Sequence, residues 1–174
     1  MRRARKTGLG LSIFMRASTL VRAPLSKDSN GSETGGVLIG TVATLEDNER
    51  ALVIAHATKP GPRAVQKRTY FDRDKAYCGD LVRQYHSAAG GDLNYVGEWH
   101  SHPSKDTTPS PLDNASLYEV VRDQGYKISS PVSIIQSAVD PTNARATIYS
   151  TNGTQYDEHL IVTPFVQLKK LSPK

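Results

Sequence analysis

Cysteine is nearly absent: Cys78 stands alone in a chain of 174 residues. An internal disulfide is therefore excluded, and so is a zinc ribbon built from cysteine pairs. A reducing, cytoplasmic setting is the expectation. Long apolar runs are missing as well. None approaches the roughly 18 residues of a membrane span, so no membrane partner is expected. The run Leu9 to Met15 is short for a signal peptide, and no small-residue cleavage site follows it cleanly. Excess charge is confined to one end. Of the net +5, Arg2, Arg3, Arg5 and Lys6 carry four, which leaves the rest near neutral and gives little reason to expect nucleic acid as a partner. What remains is 37% apolar and 22% charged, the composition of a single globular domain rather than a disordered or collagen-like chain.

The chain reads as a basic, disordered tail over 1–8, one domain over 9–165 and a short tail over 166–174. Strands are expected at Leu9–Met15, Val37–Thr44, Ala51–Ala57, Leu93–His100 and Pro131–Ala138. The second and third form a hairpin across the polar stretch Leu45–Arg50. Residues 16–30 suit either a short helix or an extended piece. Lys59–Arg68 holds two prolines, a glycine and four basic residues, and predicts an exposed loop. Tyr77, Leu81 and Tyr85 recur every four residues within a helix over Asp72–Ala88, and a second helix spans Pro111–Gln124 before Gly125. Ala144–Ser150 and Thr154–Val162, joined through Thr151-Asn152-Gly153, predict a closing hairpin. Strands with two interspersed helices point to one α/β or α+β domain with a mixed sheet.

Chemistry concentrates between residues 98 and 113. His100 and His102 sit at i and i+2 on a strand end, so their rings face one side and can converge on one metal. A loop then returns the chain to a helix start, where Asp113 can supply a third ligand; Asp106 is a rival inside the loop. Two imidazoles and a carboxylate are a common set for catalytic Zn²⁺ and leave one position open. Ser110-Pro111-Leu112-Asp113 also matches a helix N-cap, with Pro at the first helical position. A proton acceptor is needed too. Glu98 is local, about 7 Å from His100 at Cα on a regular strand, and spacing alone favours it. His56 reads as a packed core residue, and His86 and His159 as surface residues.

His100-Ser101-His102-Pro103, six residues, Ser110, two residues and Asp113 resemble the signature of the JAMM (MPN-plus) zinc metallopeptidases. Glu33-Thr34-Gly35-Gly36-Val37-Leu38-Ile39-Gly40 is similar to that family's E-x-G-G-x-L-x-G segment. The resemblance implies an MPN/JAB1, cytidine-deaminase-like fold: a curved mixed β-sheet flanked by helices. It implies zinc on His100, His102 and Asp113, Glu33 as general base and Ser110 as oxyanion donor. The implied reaction is hydrolysis of the amide bond after the C-terminus of ubiquitin or a ubiquitin-like protein. Glu98 replaces an aromatic residue frequent in the family. Residues 16–30 leave little room for the family's long helix after the first strand.

Thr58-Lys59-Pro60-Gly61-Pro62, followed by Phe71 and Asp72, resembles prokaryotic JAB-type proteins. Among these are deconjugating isopeptidases found with E1- and E2-like enzymes in bacterial antiviral systems such as CBASS. Conjugates of a ubiquitin-like protein are then the expected partners, with Arg63, Lys67, Arg68 and Trp99 as candidate substrate contacts. Release of a sulfur carrier, hydrolysis of a small-molecule amide and a non-catalytic scaffold role are the alternatives.

Overall fold

The computed structural model describes residues 11–16, 31–44, 50–126, 128–140, 142–151, 153, 155–158 and 160–163. The expected tails over 1–8 and 166–174, the segment 17–30, the turn residues 45–49 and His159 lie outside the described residues. The strands are β1 (Leu11–Arg16), β2 (Gly35–Thr44), β3 (Arg50–Ala57), β4 (Val65–Lys67), β5 (Tyr70–Asp72), β6 (Asn94–His102), β7 (Val132–Ser137), β8 (Ala144–Tyr149), β9 (Gln155–Glu158) and β10 (Leu160–Thr163). The helices are α1 (Lys75–Ala88) and α2 (Pro111–Arg122), the latter followed by a 3-10 turn at Gln124–Tyr126. No helix among the described residues is long and apolar enough to cross a membrane.

Eight strands form one mixed sheet in the order β10-β1-β3-β2-β6-β7-β8-β9. The pairs β1/β10, β1/β3 and β6/β7 are parallel and the others antiparallel. The two outermost strands, β9 and β10, are separated by a single residue, so the sheet curls until its ends meet. The concave side encloses Ile13, Met15, Leu38, Leu52, Ile54, Val96, Trp99, Val132, Ile134, Ala146 and Ile148. Each of the Ile, Leu, Val and Met side chains among them contributes about 1.5–3 kcal/mol on burial. On the convex side Val37, Ile39 and Tyr95 pack with Cys78 of α1 and Val120 of α2. Alternation along β2 divides the two cores, while in β6 a bulge at Val96–Gly97 sends Tyr95 to the convex side and both Val96 and Trp99 to the concave one.

The mixed α+β architecture with a curved sheet and flanking helices matches the sequence expectation. The β2/β3 hairpin is present, and both helices begin within a few residues of their expected starts, capped by Asp74 and Ser110. Two local expectations need correcting. The 59–68 segment is not loop throughout: Val65–Lys67 pairs with Tyr70–Asp72 as a small exposed hairpin. The segment after Gly153 is two strands rather than one. Gln155–Glu158 closes the expected hairpin on β8, and Leu160–Thr163 then pairs with β1.

Candidate metal centre

His100 and His102 project from the end of β6 on its convex side. Their Nε2 atoms are 3.1 Å apart. Asp113, in the first turn of α2, completes the group: Oδ1 lies 3.4 Å from His100 Nε2 and Oδ2 lies 3.9 Å from His102 Nε2. Among the described residues this is the cluster of His, Cys, Asp and Glu groups whose ligand atoms could share an ion, all lying within 4.8 Å of one another. Tetrahedral bonds of about 2.0–2.2 Å put ligand atoms roughly 3.3–3.6 Å apart, so the spacing suits zinc.

The donor chemistry suits it equally. His102 Nδ1 lies 2.9 Å from the Asp106 carbonyl. A carbonyl only accepts, so Nδ1 carries a proton, and in the neutral imidazole this tautomer leaves the Nε2 lone pair for a metal. Burial holds the His100 imidazole down to about 4, against the opposing pull of Asp113 and with a smaller push from His102. It is therefore neutral at pH 7, as a ligand must be. Asp106, the rival ligand, meets the site through its backbone; its carboxylate accepts from the Thr108 amide.

The helix cap and the carboxylate serve each other. Ser110 Oγ accepts from the Asp113 amide at 3.2 Å, and the Ser110 amide donates to Asp113 Oδ2 at 2.7 Å. This capping box fixes the carboxylate plane while Oδ1 faces His100. The neighbouring Asn114 is held from the sheet, its Oδ1 accepting from the hydroxyl of fully buried Tyr149 at 2.6 Å. Nothing in the local sequence signalled that tether, because its partners are 35 residues apart.

Glu33 reaches the site through β2. Gly35 pairs with His100, and two further steps along the register place Glu33 opposite His102. The Ser101 amide bonds the Thr34 carbonyl at 2.7 Å, and the Glu33 amide donates to Lys67 of β4 at 2.8 Å. Burial raises the Glu33 carboxyl above the ordinary glutamate value; His102 pulls it down and Asp113 pushes it further up. Gly35 makes the approach possible. A Cβ there would stand 2.3 Å from the Trp99 carbonyl and 2.8 Å from His100 Cβ.

Glu98 is neither exposed nor free. Its Oε1 lies 2.7 Å from Arg73 and accepts from the Tyr95 hydroxyl at 3.1 Å. Burial raises its carboxyl while Arg73 holds it down. Glu98, His100 and Asp113 line one cavity of about 310 Å³ between β6, the start of α1 and α2. A larger groove of about 760 Å³ runs along α1 without touching any of the three candidate ligands.

Of the candidate substrate contacts, one is buried and another is held in an ion pair. Trp99 is 3% exposed in the interior of the sheet, its Nε1 bonded to the Thr58 carbonyl at 3.0 Å. Local alternation puts it on the face opposite His100, inside the curled sheet. Arg63 is 72% exposed, but its guanidinium is paired with Asp74 at 3.0 Å through both Nε and a terminal nitrogen. Asp74 caps α1, and the Arg63 pair holds its carboxyl down to about 2, so Arg63 staples the loop to the helix. Lys67 and Arg68 are exposed at the tip of the β4/β5 hairpin, where the Lys67 carbonyl accepts from the Glu33 amide. His56 is half-buried and stacked on Tyr85, and His86 is exposed.

Residues 21–149 match the family described as prokaryotic homologs of the JAB domain. The chain is 35% identical over 104 residues to a CD-NTase/cGAS isopeptidase of Enterobacter hormaechei, a match covering 60% of this chain and 54% of the relative. A CD-NTase/cGAS isopeptidase of Escherichia coli is 35% identical over 82 residues, 47% of this chain and 49% of the relative. The chain spans about half the length of the curated relatives it matches. Among solved structures it is similar to protein DSY2949 of Desulfitobacterium hafniense, with a TM-score of 0.61 at 18% identity over 89% of this chain and 95% of that one; at that identity the likeness is one of fold. With the family match spanning β2 to β8, both helices and the clustered His100, His102 and Asp113, the chain belongs to the prokaryotic JAB-domain family.

Proposed function

We propose that the chain is a zinc-dependent isopeptidase that hydrolyses the amide bond after the C-terminus of a ubiquitin-like protein. The names of its relatives suggest a CD-NTase as the protein released from the conjugate. The setting is the cytoplasm of a bacterium with an antiviral conjugation system that supplies E1- and E2-like enzymes. The observation that carries this reading is the convergence of His100, His102 and Asp113 on one point.

His100, His102 and Asp113 would hold zinc, which would bring the pKa of a bound water down to about 7 and supply a Lewis acid for the amide carbonyl. Glu33 takes the proton from the attacking water and hands it to the departing amine. Ser110 Oγ uses a lone pair on the Asp113 amide, which leaves its O–H to donate to the carbonyl oxygen as negative charge develops there. Lys67 and Arg68, beside Glu33, meet acidic groups on the bound ubiquitin-like protein.

The test is incubation of the chain with fusions of ubiquitin and candidate ubiquitin-like proteins, with and without chelator. Cleavage after the last residue of the ubiquitin-like part, lost on chelation and restored by zinc, is expected. Chelator-resistant cleavage would remove the metal from the reaction. Stoichiometric zinc with every fusion left intact would point to the sulfur-carrier, small-molecule or scaffold alternatives.

The basic residues divide cleanly in a second experiment. Reversing Lys67 and Arg68 to glutamate is expected to slow cleavage and flatten its salt dependence at an unchanged melting temperature. Arg63→Met should do the opposite, lowering stability at pH 7 with kcat/KM retained. Because the Asp74 carboxyl sits at about 2 when folded and near 3.9 when unfolded, the contribution of the pair is complete above about pH 4. It fades as pH falls toward 2, so the stability gap between Arg63→Met and the parent chain should close over that range. A gap independent of pH would detach it from the Asp74 pair.

A further inference from the structure

The loop between the second histidine and α2 is exposed at Ser104, Lys105 and Asp106 and has no apolar anchor of its own there. Three consecutive carbonyls in it are nonetheless each held by a side chain. Ser137 Oγ donates to the Ser104 carbonyl at 2.8 Å, Asn143 Nδ2 donates to the Lys105 carbonyl at 2.7 Å, and His102 Nδ1 donates to the Asp106 carbonyl at 2.9 Å. The first two partners belong to the β7–β8 turn, which pairs with β6 through His102 opposite Ser137.

That turn is itself fixed. Fully buried Ser137 also accepts from the amides of Val139 and Asp140, at 3.3 and 3.0 Å. The Asn143 amide bonds the Asp140 carbonyl at 2.9 Å, and the Asn143 carbonyl accepts from the Ser137 amide at 2.9 Å. The Ala138 amide donates to the His102 carbonyl at 2.8 Å. Every lone pair and proton of the Ser137 hydroxyl is thereby committed, so its direction toward Ser104 is set by the turn.

We infer that Ser137 and Asn143 are positioning residues for His102. By pinning the Ser104 and Lys105 carbonyls they place the Asp106 carbonyl where it captures the Nδ1 proton. The imidazole is thus held in the tautomer and orientation that present Nε2 to the metal. The inference rests on the reading of His102 as a ligand, and it assigns to the β7–β8 turn a control over that ligand that neither residue exerts by touching the ion.

The test uses the full chain. Nitrogen NMR of the imidazoles in metal-free protein reports the tautomer of His102, and competition against a chromophoric chelator reports zinc affinity. Asn143→Asp keeps the size of a half-buried side chain and removes its donor, so the fold is retained. Ser137→Ala removes the hydroxyl, and Ser137→Thr is the conservative variant that keeps it. The parent chain and Ser137→Thr are expected to hold His102 as the Nδ1–H tautomer. Asn143→Asp and Ser137→Ala should give a mixture of tautomers and bind zinc about 10- to 100-fold more weakly. If Ser137→Ala does not fold, Asn143→Asp alone decides. Folded variants with the parent tautomer and affinity would overturn the inference, even if they melt lower, because that outcome marks a merely structural role. A parent chain that binds no zinc would instead sink the metal reading, while a tautomer shift in Asn143→Asp would still report the positioning.

Discussion

Glu33→Gln is expected to slow cleavage by about 10²–10⁴-fold, the share a positioned proton carrier contributes, with zinc content unchanged. Glutamine keeps the shape of the side chain and the backbone bonds of the segment, including the Glu33 amide on Lys67 and the Ser101 amide on Thr34. Only the capacity to take a proton is lost. The contrast with Glu98 sharpens the result. Glu98 is committed to Arg73 and Tyr95, so Glu98→Gln should act mainly on stability by stranding a largely buried guanidinium. Fusion-cleavage kinetics and metal analysis on both variants settle the matter. Parent-like turnover in Glu33→Gln, or loss of turnover confined to Glu98→Gln, would move the base to the strand that carries the histidines.

The second large effect belongs to Asp113. Asp113→Asn should reduce zinc affinity by more than the roughly 10–100-fold typical of losing an outer hydrogen-bond partner, and cleavage should fall toward background with it. Stability should change little. An asparagine oxygen can still accept from the Ser110 amide, and the Ser110 hydroxyl still receives the backbone amide of residue 113, so the helix start survives. Asp113→Ala breaks the box as well and should lose about a further 1 kcal/mol. Metal titration beside thermal melting separates the two roles. An asparagine variant that binds zinc like the parent would mean that the carboxylate is only a cap.

Much of this site was legible because it is written in short-range terms. The i, i+2 spacing of His100 and His102 on a strand and the Ser-Pro-x-Asp helix start are local geometry, and local geometry survives folding. Less visible were features set by contacts distant in sequence. Alternation alone places Trp99 on the face opposite His100, but it does not say that this face is the closed interior of a curled sheet. Arg63 read as a free surface charge because its own loop contains no acid; its partner, Asp74, waits eleven residues on at a helix cap. Thr154–Val162 reads as one strand, since periodicity cannot tell that the chain leaves β8 and crosses to β1. The tethers from Tyr149 to Asn114 and from Ser137 to Ser104 likewise join residues more than thirty positions apart.

The placement of β1 has a consequence for the behaviour of the molecule in bulk. It lies between β3 and β10, bonded in parallel to both. A polypeptide clipped ahead of Leu160 would strip one flank of that strand and lay bare a row of unpaired amides and carbonyls. Such a margin recruits strands from neighbouring molecules. Loss of β10 would therefore favour self-association and precipitation of otherwise folded protein, with β6, which carries His100 and His102, three strands away from the bared edge.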